Sequence, residues 1–215
     1  MDIATILSKM HETLKKSRSK RLTALRELQE EEDNPFKILI GTIISARTRD
    51  ENSKVAVRRL FNKFRDPEAL ASASIDEIAE LIKEAGFYRI KAKRIKEVAK
   101  IIHQKYNDEV PSNIDELLEL PGVGRKTANC VLVYAFDKDA IPVDTHVHRI
   151  ANRLGLVNTK EPEETEEELK KIIDRKYWKS INDTFVMFGQ NVCKPIKPLC
   201  NECLLKDYCK YFNAS

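Results

Sequence analysis

An all-α fold is predicted for this 215-residue chain by three features. Apolar residues recur at helical spacing through almost every segment. Capping residues stand just before the periodic runs. Pro falls at the starts of the runs or between them, most of the glycines fall between them, and no low-complexity linker or strong repeat interrupts the series.

Taken in order, Pro35 at a first helical position opens FKILIGTIISA, which is too apolar to be anything but a buried helix. A second helix over about 51–64 puts Val55, Leu60 and Phe61 on one side and basic residues on the other. Asp66-Pro67 starts a short third. Ser74 and Glu77 form a capping box for a helix over about 75–84, which Gly86 stops. In RIKAKRIKEVAKIIHQKY the residues Ile90, Ile95, Val98, Ile101 and Ile102 are expected on one face. Ser112 is expected to cap 113–119, Pro121-Gly122-Val123-Gly124 breaks the chain, and helix resumes over 125–136. Further helices are expected at about 145–154, 163–174 and 178–192, with an irregular tail after Cys193. The acidic run Glu161 to Glu168 reads as the solvated first turns of a helix, its carboxylates near the positive dipole end.

Composition sets bounds. Hydrophobic residues at 42% and charged residues at 33% are an ordinary globular balance. No apolar run approaches the roughly 18 residues of a membrane span. The N-terminal charge pattern is not that of a secretory signal, so a cytoplasmic protein without a membrane partner is expected. The excess of 38 Lys and Arg over 34 Asp and Glu permits a nucleic-acid partner without requiring one.

Two motifs carry chemistry. ELLELPGVGRKTANCVLVYAF places a tight two-glycine turn between apolar helices. Such a turn aims backbone N–H groups outward beside a helix N-terminus, where they bind phosphate without reading sequence; an ordinary helical hairpin is the alternative. Lys126 lies two residues past Gly124, in the first turn of a helix. The positive dipole end and partial desolvation should ease loss of its proton, and a neutral amine attacks carbon well. A phosphate-contacting lysine fits the same position. Asp144 in IPVDTHVHRI stands at an N-cap, which by itself accounts for a carboxylate there. His146 and His148 are expected to be structural, and Cys130 a core residue. The second motif is Cys193, Cys200, Cys203 and Cys209, four thiols within seventeen residues. Clustered soft thiolates in an intracellular chain read as ligands of zinc or an iron–sulfur cluster rather than as disulfides; the wide first gap and the five-residue last gap form no tight zinc knuckle, and spacing alone leaves zinc open.

ELPGVGRKTAN resembles the helix-hairpin-helix of the endonuclease III family of DNA glycosylases, and its pairing with VDTHVHR is similar to that family's pattern. The resemblance runs from about Pro35 to Cys209. It implies a continuous helical domain over 29–138 containing the hairpin, and a discontinuous one from 1–28 and 139–215 with a cluster loop at 193–209. Lys126 and Asp144 would face each other across the cleft. It also implies a bifunctional glycosylase and abasic-site lyase, acting as a monomer on double-stranded DNA with damaged bases or abasic sites. Lys126 would attack C1′, expel an oxidised pyrimidine and permit β-elimination, while Asp144 stabilises charge on the sugar. The x6-x2-x5 cysteine spacing matches the family's [4Fe–4S] site in full. Gly122, Val123 and Gly124 would contact the backbone. Phe87, in GFYRIKAKRI, would wedge between bases, and Lys197 matches a basic family position, whereas Lys194 has no such counterpart. Arg47, in IISARTRD, stands where the family usually has glutamine filling the vacated space, which leaves opposite-base preference open. Two rivals remain at this point. A monofunctional mismatch glycosylase usually lacks a lysine at the position of Lys126, and the adenine-removing kind has a further C-terminal domain that the residues after Cys209 are expected to be too few to form. A non-catalytic hairpin protein would lose no activity on Lys126→Ala.

Overall fold

The structure, a computed structural model, describes residues 2–16 and 34–214. Among the described residues there are helices and no strands. The chain divides into two compact units, Met1–Thr23 with Asp139–Ser215, and Ala24–Lys138. The expected 28/29 boundary lies outside the described residues.

The continuous unit holds α2 (Pro35–Ser45), α3 (Asp50–Lys63), α4 (Pro67–Ser72), α5 (Ile75–Leu81), α6 (Tyr88–Tyr106), α7 (Ile114–Leu118) and α8 (Arg125–Phe136). Helix α2 is its centre. Asn34 Oδ1 accepts from the Phe36 and Lys37 amides, and Pro35 supplies a preset φ at the first helical position. Eight consecutive residues bar Lys37, from Phe36 to Ile44, are buried. A helix apolar all round must be wrapped on every side, and α3, α6 and α8 pack against it. Asp66 and Ser74 cap α4 and α5, the latter through the reciprocal capping box with Glu77.

Several expectations need correction. Helix α7 is capped by Asn113, whose side chain accepts from the Glu116 amide, and not by Ser112. Helix α5 ends at Leu81, before the turn that leads to Gly86. Val55 is exposed, because only Ser53, Ala56, Val57, Leu60 and Phe61 of α3 turn inward. In α6 the buried face carries Lys91, Ala92, Ile95, Val98, Ala99 and Ile102, and Ile90 is 52% exposed. At about 100° per residue, position 90 lies far from the stripe through 95, 98 and 102, whereas position 91 lies on it. Lys91, and not Ile90, therefore occupies the buried face.

The other unit contains α1 (Ile3–Lys16), α9 (Thr145–Leu154), α10 (Pro162–Ile172), α11 (Trp178–Asn191) and α12 (Lys210–Asn213). Its core joins Met10 and Leu14 of α1 to Val147 and Ile150 of α9, Leu169 of α10, and Ile181, Phe185 and Phe188 of α11. The tail after Cys193 is mostly irregular but includes two 3₁₀ turns and α12. The acidic run is not wholly solvated: Glu166 is 2% exposed and pairs with Lys170 one turn on. Thr165 is buried too and hydrogen-bonds His148 Nδ1 at 2.6 Å. The inward face of α10 thus carries polar side chains that have partners, as burial demands.

Candidate active site, DNA-contacting turns and cysteine tail

The hairpin turn is built around Leu120 and Val123, both buried. The Val123 amide donates to Leu120 O at 3.0 Å and its side chain enters the core. Val123 therefore shapes the turn, and the exposed surface there belongs to Gly122 and Gly124. Gly122 has φ +76, which favours glycine; a Cβ on it would come within 2.5 Å of Arg94 Cδ, part of a flexible side chain that can move aside. Gly124 starts α8 with no side-chain cap, and a Cβ there would meet nothing within 4 Å. An exposed helix N-terminus without its own capping side chain is a natural seat for phosphate. Lys126, the second residue of α8, is half-buried. Further along the same helix Cys130 is fully buried in the core.

In the other unit Asp144 is the N-cap of α9. Its Oδ1 accepts from the His146 amide at 2.9 Å and the Val147 amide at 2.8 Å, which fixes the carboxylate at the helix end. Ile141 and Val143 are buried just before it, and Asn182 Nδ2 donates to Pro142 O at 2.8 Å. His146 packs so closely on α11 that a Cβ at Gly189 would stand 2.5 Å from its Nδ1. Both histidines are thus engaged in packing α9 on its neighbours.

Cys193, Cys200, Cys203 and Cys209 are all reduced and line one cavity with Arg153, Phe188 and Tyr211. Burial, and then the neighbouring thiols Cys193, Cys209 and Cys200, push the Cys203 thiol up to about 11. Burial likewise raises Cys200, with Cys193 and Cys209 adding to it. Two arginines of α9 pin this segment: Arg149 donates to Cys193 O at 2.8 Å, while Arg153 donates to Lys194 O at 2.7 Å and Pro195 O at 2.9 Å. The Arg153 guanidinium also stacks 4.4 Å from the Tyr211 ring centroid. The loop so held exposes Lys194, Ile196 and Lys197. Among the described residues, no group of three or more His, Cys, Asp or Glu is arranged to hold a single metal ion.

Arg47 and Phe87 are brought together in the continuous unit, with the guanidinium carbon 5.9 Å from the ring centroid. Both are exposed, and both are left-handed, at φ 52 and φ 57. Among the described residues the positive-φ positions other than glycine are Arg47, Phe87, Asn107, Asp108, Asp137 and Lys197. Asn and Asp tolerate this region, but Arg, Phe and Lys rarely occupy it. The three non-Asx residues are the same three side chains expected to touch DNA outside the hairpin. Strained backbone of this kind concentrates at functional sites.

Sequence reasoning missed the residue beneath that pair. Lys91, 5% exposed, donates to Ile44 O at 2.6 Å, Ala46 O at 2.6 Å and Thr48 Oγ1 at 2.8 Å. Burial pushes its pKa down to about 8. The helical phase of Ile95, Val98 and Ile102 was the available signal.

An all-helical body with an uncapped Gly-Val-Gly hairpin, a lysine just behind it and a four-thiol tail defines a helix-hairpin-helix DNA-repair protein. Residues 40–175 match the family model described as "HhH-GPD superfamily base excision DNA repair protein". The chain is 53% identical over 181 residues to endonuclease III of Thermotoga maritima, covering 84% of this chain and 85% of that one. A trapped endonuclease III–DNA covalent intermediate superposes with a TM-score of 0.84 at 34% identity, covering 100% and 98% of the two chains. A thermostable thymine-DNA glycosylase superposes equally, with a TM-score of 0.84 at 27% identity over 99% and 97%. The chain belongs to the endonuclease III family of base-excision DNA glycosylases and abasic-site lyases. No described helix is long and apolar enough to cross a membrane.

Proposed function

We propose that the chain removes oxidised pyrimidines from duplex DNA and nicks the strand, with Lys126 as nucleophile and Asp144 as its electrostatic partner. The observation that carries this reading is Lys126 itself, half-buried in the first turn of a helix whose N-terminus no side chain caps. A phosphate held by Gly122 and Gly124 would bring the sugar-phosphate backbone to that amine. The target base must leave the stack before C1′ is accessible, at a cost of a few kcal/mol. Phe87 would fill the gap in the stack, Arg47 would hydrogen-bond the base left without a partner, and Lys197 would hold a phosphate.

In the first step Lys126 Nζ bonds to C1′ and the C1′–N bond breaks. The base departs with that electron pair and gains a proton. Asp144, fixed by two amides, stabilises the positive charge on the sugar. Ring opening then gives a Schiff base. Loss of a proton from C2′ expels the 3′ oxygen and cuts the strand, and water releases the lysine.

Cys193, Cys200, Cys203 and Cys209 would hold a [4Fe–4S] cluster through their thiolates. Four soft thiols among the residues that line one cavity suit an iron–sulfur cluster. Such a group supplies closure of a tail too small to have its own core. The cavity-lining residues do the rest, with Arg149 and Arg153 holding the loop that presents Lys197. This reading sets the protein's work on chromosomal DNA in the nucleoid.

Borohydride reduction in the presence of duplex carrying an oxidised thymine tests the assignment. A covalent protein–DNA adduct is expected from the wild type and none from Lys126→Ala. Base release without any adduct would establish a monofunctional enzyme instead, and undiminished adduct after Lys126→Ala would overturn the nucleophile. Iron and sulfide near four per chain are expected in the purified protein, and zinc would refute the cluster.

A further inference from the structure

Two segments far apart in sequence, the end of α2 and the start of α6, are joined by one buried ammonium. Ile44 O and Ala46 O lie at the C-terminal end of α2, where a helix has carbonyls it cannot satisfy and a negative dipole end. Lys91 supplies N–H donors to both and a third to Thr48 Oγ1, so its three donors meet three acceptors. Thr48 Oγ1 also accepts from the Gly86 amide at 3.1 Å. Gly86 brings the two segments within reach, because a Cβ there would stand 2.5 Å from Arg47 O. Arg47 sits between the two clamped positions Ala46 and Thr48, and Phe87 sits next to Gly86. Lys91 itself is 5% exposed, while Phe87 is 60% exposed.

We propose that Lys91 is a positioning residue for the Arg47–Phe87 pair, its three N–H donors holding the 44–48 turn against the start of α6 so that both side chains enter duplex DNA as one fixed probe. The inference rests on the reading of Arg47 and Phe87 as the residues that enter the stack. Its physical content is preorganisation. Left-handed backbone at an arginine and a phenylalanine is unfavourable by itself, and it persists only where surrounding bonds over-determine it. Without the clamp, the pair would have to be ordered at the moment of base extrusion, and the duplex reaction would slow accordingly. Chemistry that needs no extrusion would be untouched.

The experiment compares wild type with Lys91→Met on two substrates: duplex carrying an oxidised pyrimidine, and a single strand carrying an abasic site. For Lys91→Met the expected result is a loss of tenfold or more in kcat/KM on the duplex, with nicking of the single strand within twofold of wild type. In an Arg47→Ala/Phe87→Ala background the same substitution should change duplex activity less than twofold, because the groups it positions are gone. Equal losses on both substrates would show a merely structural lysine and overturn the proposal, as would a full tenfold further loss in that background or unchanged duplex activity. Amide hydrogen exchange in the free protein reads the clamp without DNA. Exchange at Thr48 and Gly86 should quicken at least tenfold in Lys91→Met while the α8 amides keep their rates, and unchanged exchange at both would refute the clamp. Should Lys91→Met not fold, Thr48→Ala, which removes the shared acceptor, should show the same split between substrates. A wild type that acts on neither substrate would sink the catalytic reading instead, and the exchange measurement would still decide the clamp.

Discussion

The guanidinium of Arg47 lies 5.9 Å from the ring centroid of Phe87, and both residues hold left-handed backbone on exposed turns. Neither gains much from burial, and each carries a conformational cost of roughly 1 kcal/mol that a glycine would not. Stability alone therefore does not favour these residues at these positions.

Replacing Arg47 by glycine should raise stability by about 0.5–1 kcal/mol, because the left-handed conformation costs glycine nothing. Processing of a duplex lesion should fall at the same time. Urea unfolding and a glycosylase assay on one preparation check both parts; a variant less stable than wild type would contradict the strain argument.

The capping role of Asp144 and its proposed role in charge stabilisation are separable. Asp144→Asn keeps an amide oxygen able to accept from His146 and Val147, so stability should shift by less than about 0.5 kcal/mol while base release slows steeply. Asp144→Ala loses the cap as well and should cost about 1 kcal/mol. Thermal melting beside single-turnover kinetics separates the two. If Asn and Ala variants were equally slow and equally destabilised, capping would be the whole of its role.

Gly86→Ala would push a methyl to 2.5 Å from the Arg47 carbonyl, a backbone atom that cannot turn aside. A loss of about 1–3 kcal/mol is expected, with exchange at the 46–48 turn speeding up. Gly124→Ala meets nothing within 4 Å and should cost no more than the preference of an N-cap for glycine over alanine, below about 1 kcal/mol, with the 46–48 turn unaffected. Parallel denaturation curves for the two variants would show whether the distinction holds.

The depressed pKa of Lys91 has a signature in stability against pH. Burial brings it to about 8 in the folded protein from an ordinary value of 10.5. Between those pH values the unfolded chain holds a proton that the folded chain has shed, so stability rises with pH through that window. The contribution is complete above 10.5 and is lost as pH falls through 8. Its size is up to about 3 kcal/mol. Because other lysines and tyrosines titrate nearby, the quantity to measure is wild type minus Lys91→Met. A difference flat from pH 7 to about 10.5 would mean that this amine titrates normally.

The sequence by itself determined the local features, because each rests on interactions between near neighbours along the chain. Helix α8 over 125–136 and α9 over 145–154 start and stop where glycine, Asp144 and apolar spacing say they must. The hairpin, the lysine behind it and the cysteine spacing were equally plain, since a turn or a cysteine cluster is written in residues close along the chain. Where a cap had two adjacent candidates, Ser112 and Asn113, spacing could not choose. Only the tertiary structure decided which face of α6 turns inward, and so put Lys91 rather than Ile90 in the core. It alone brought Arg47 to Phe87, gave Gly86 a carbonyl to make room for, and tied Cys193 to Arg149. Those contacts join segments separated by dozens of residues, and their free energy comes from burial and hydrogen bonds that no local pattern encodes.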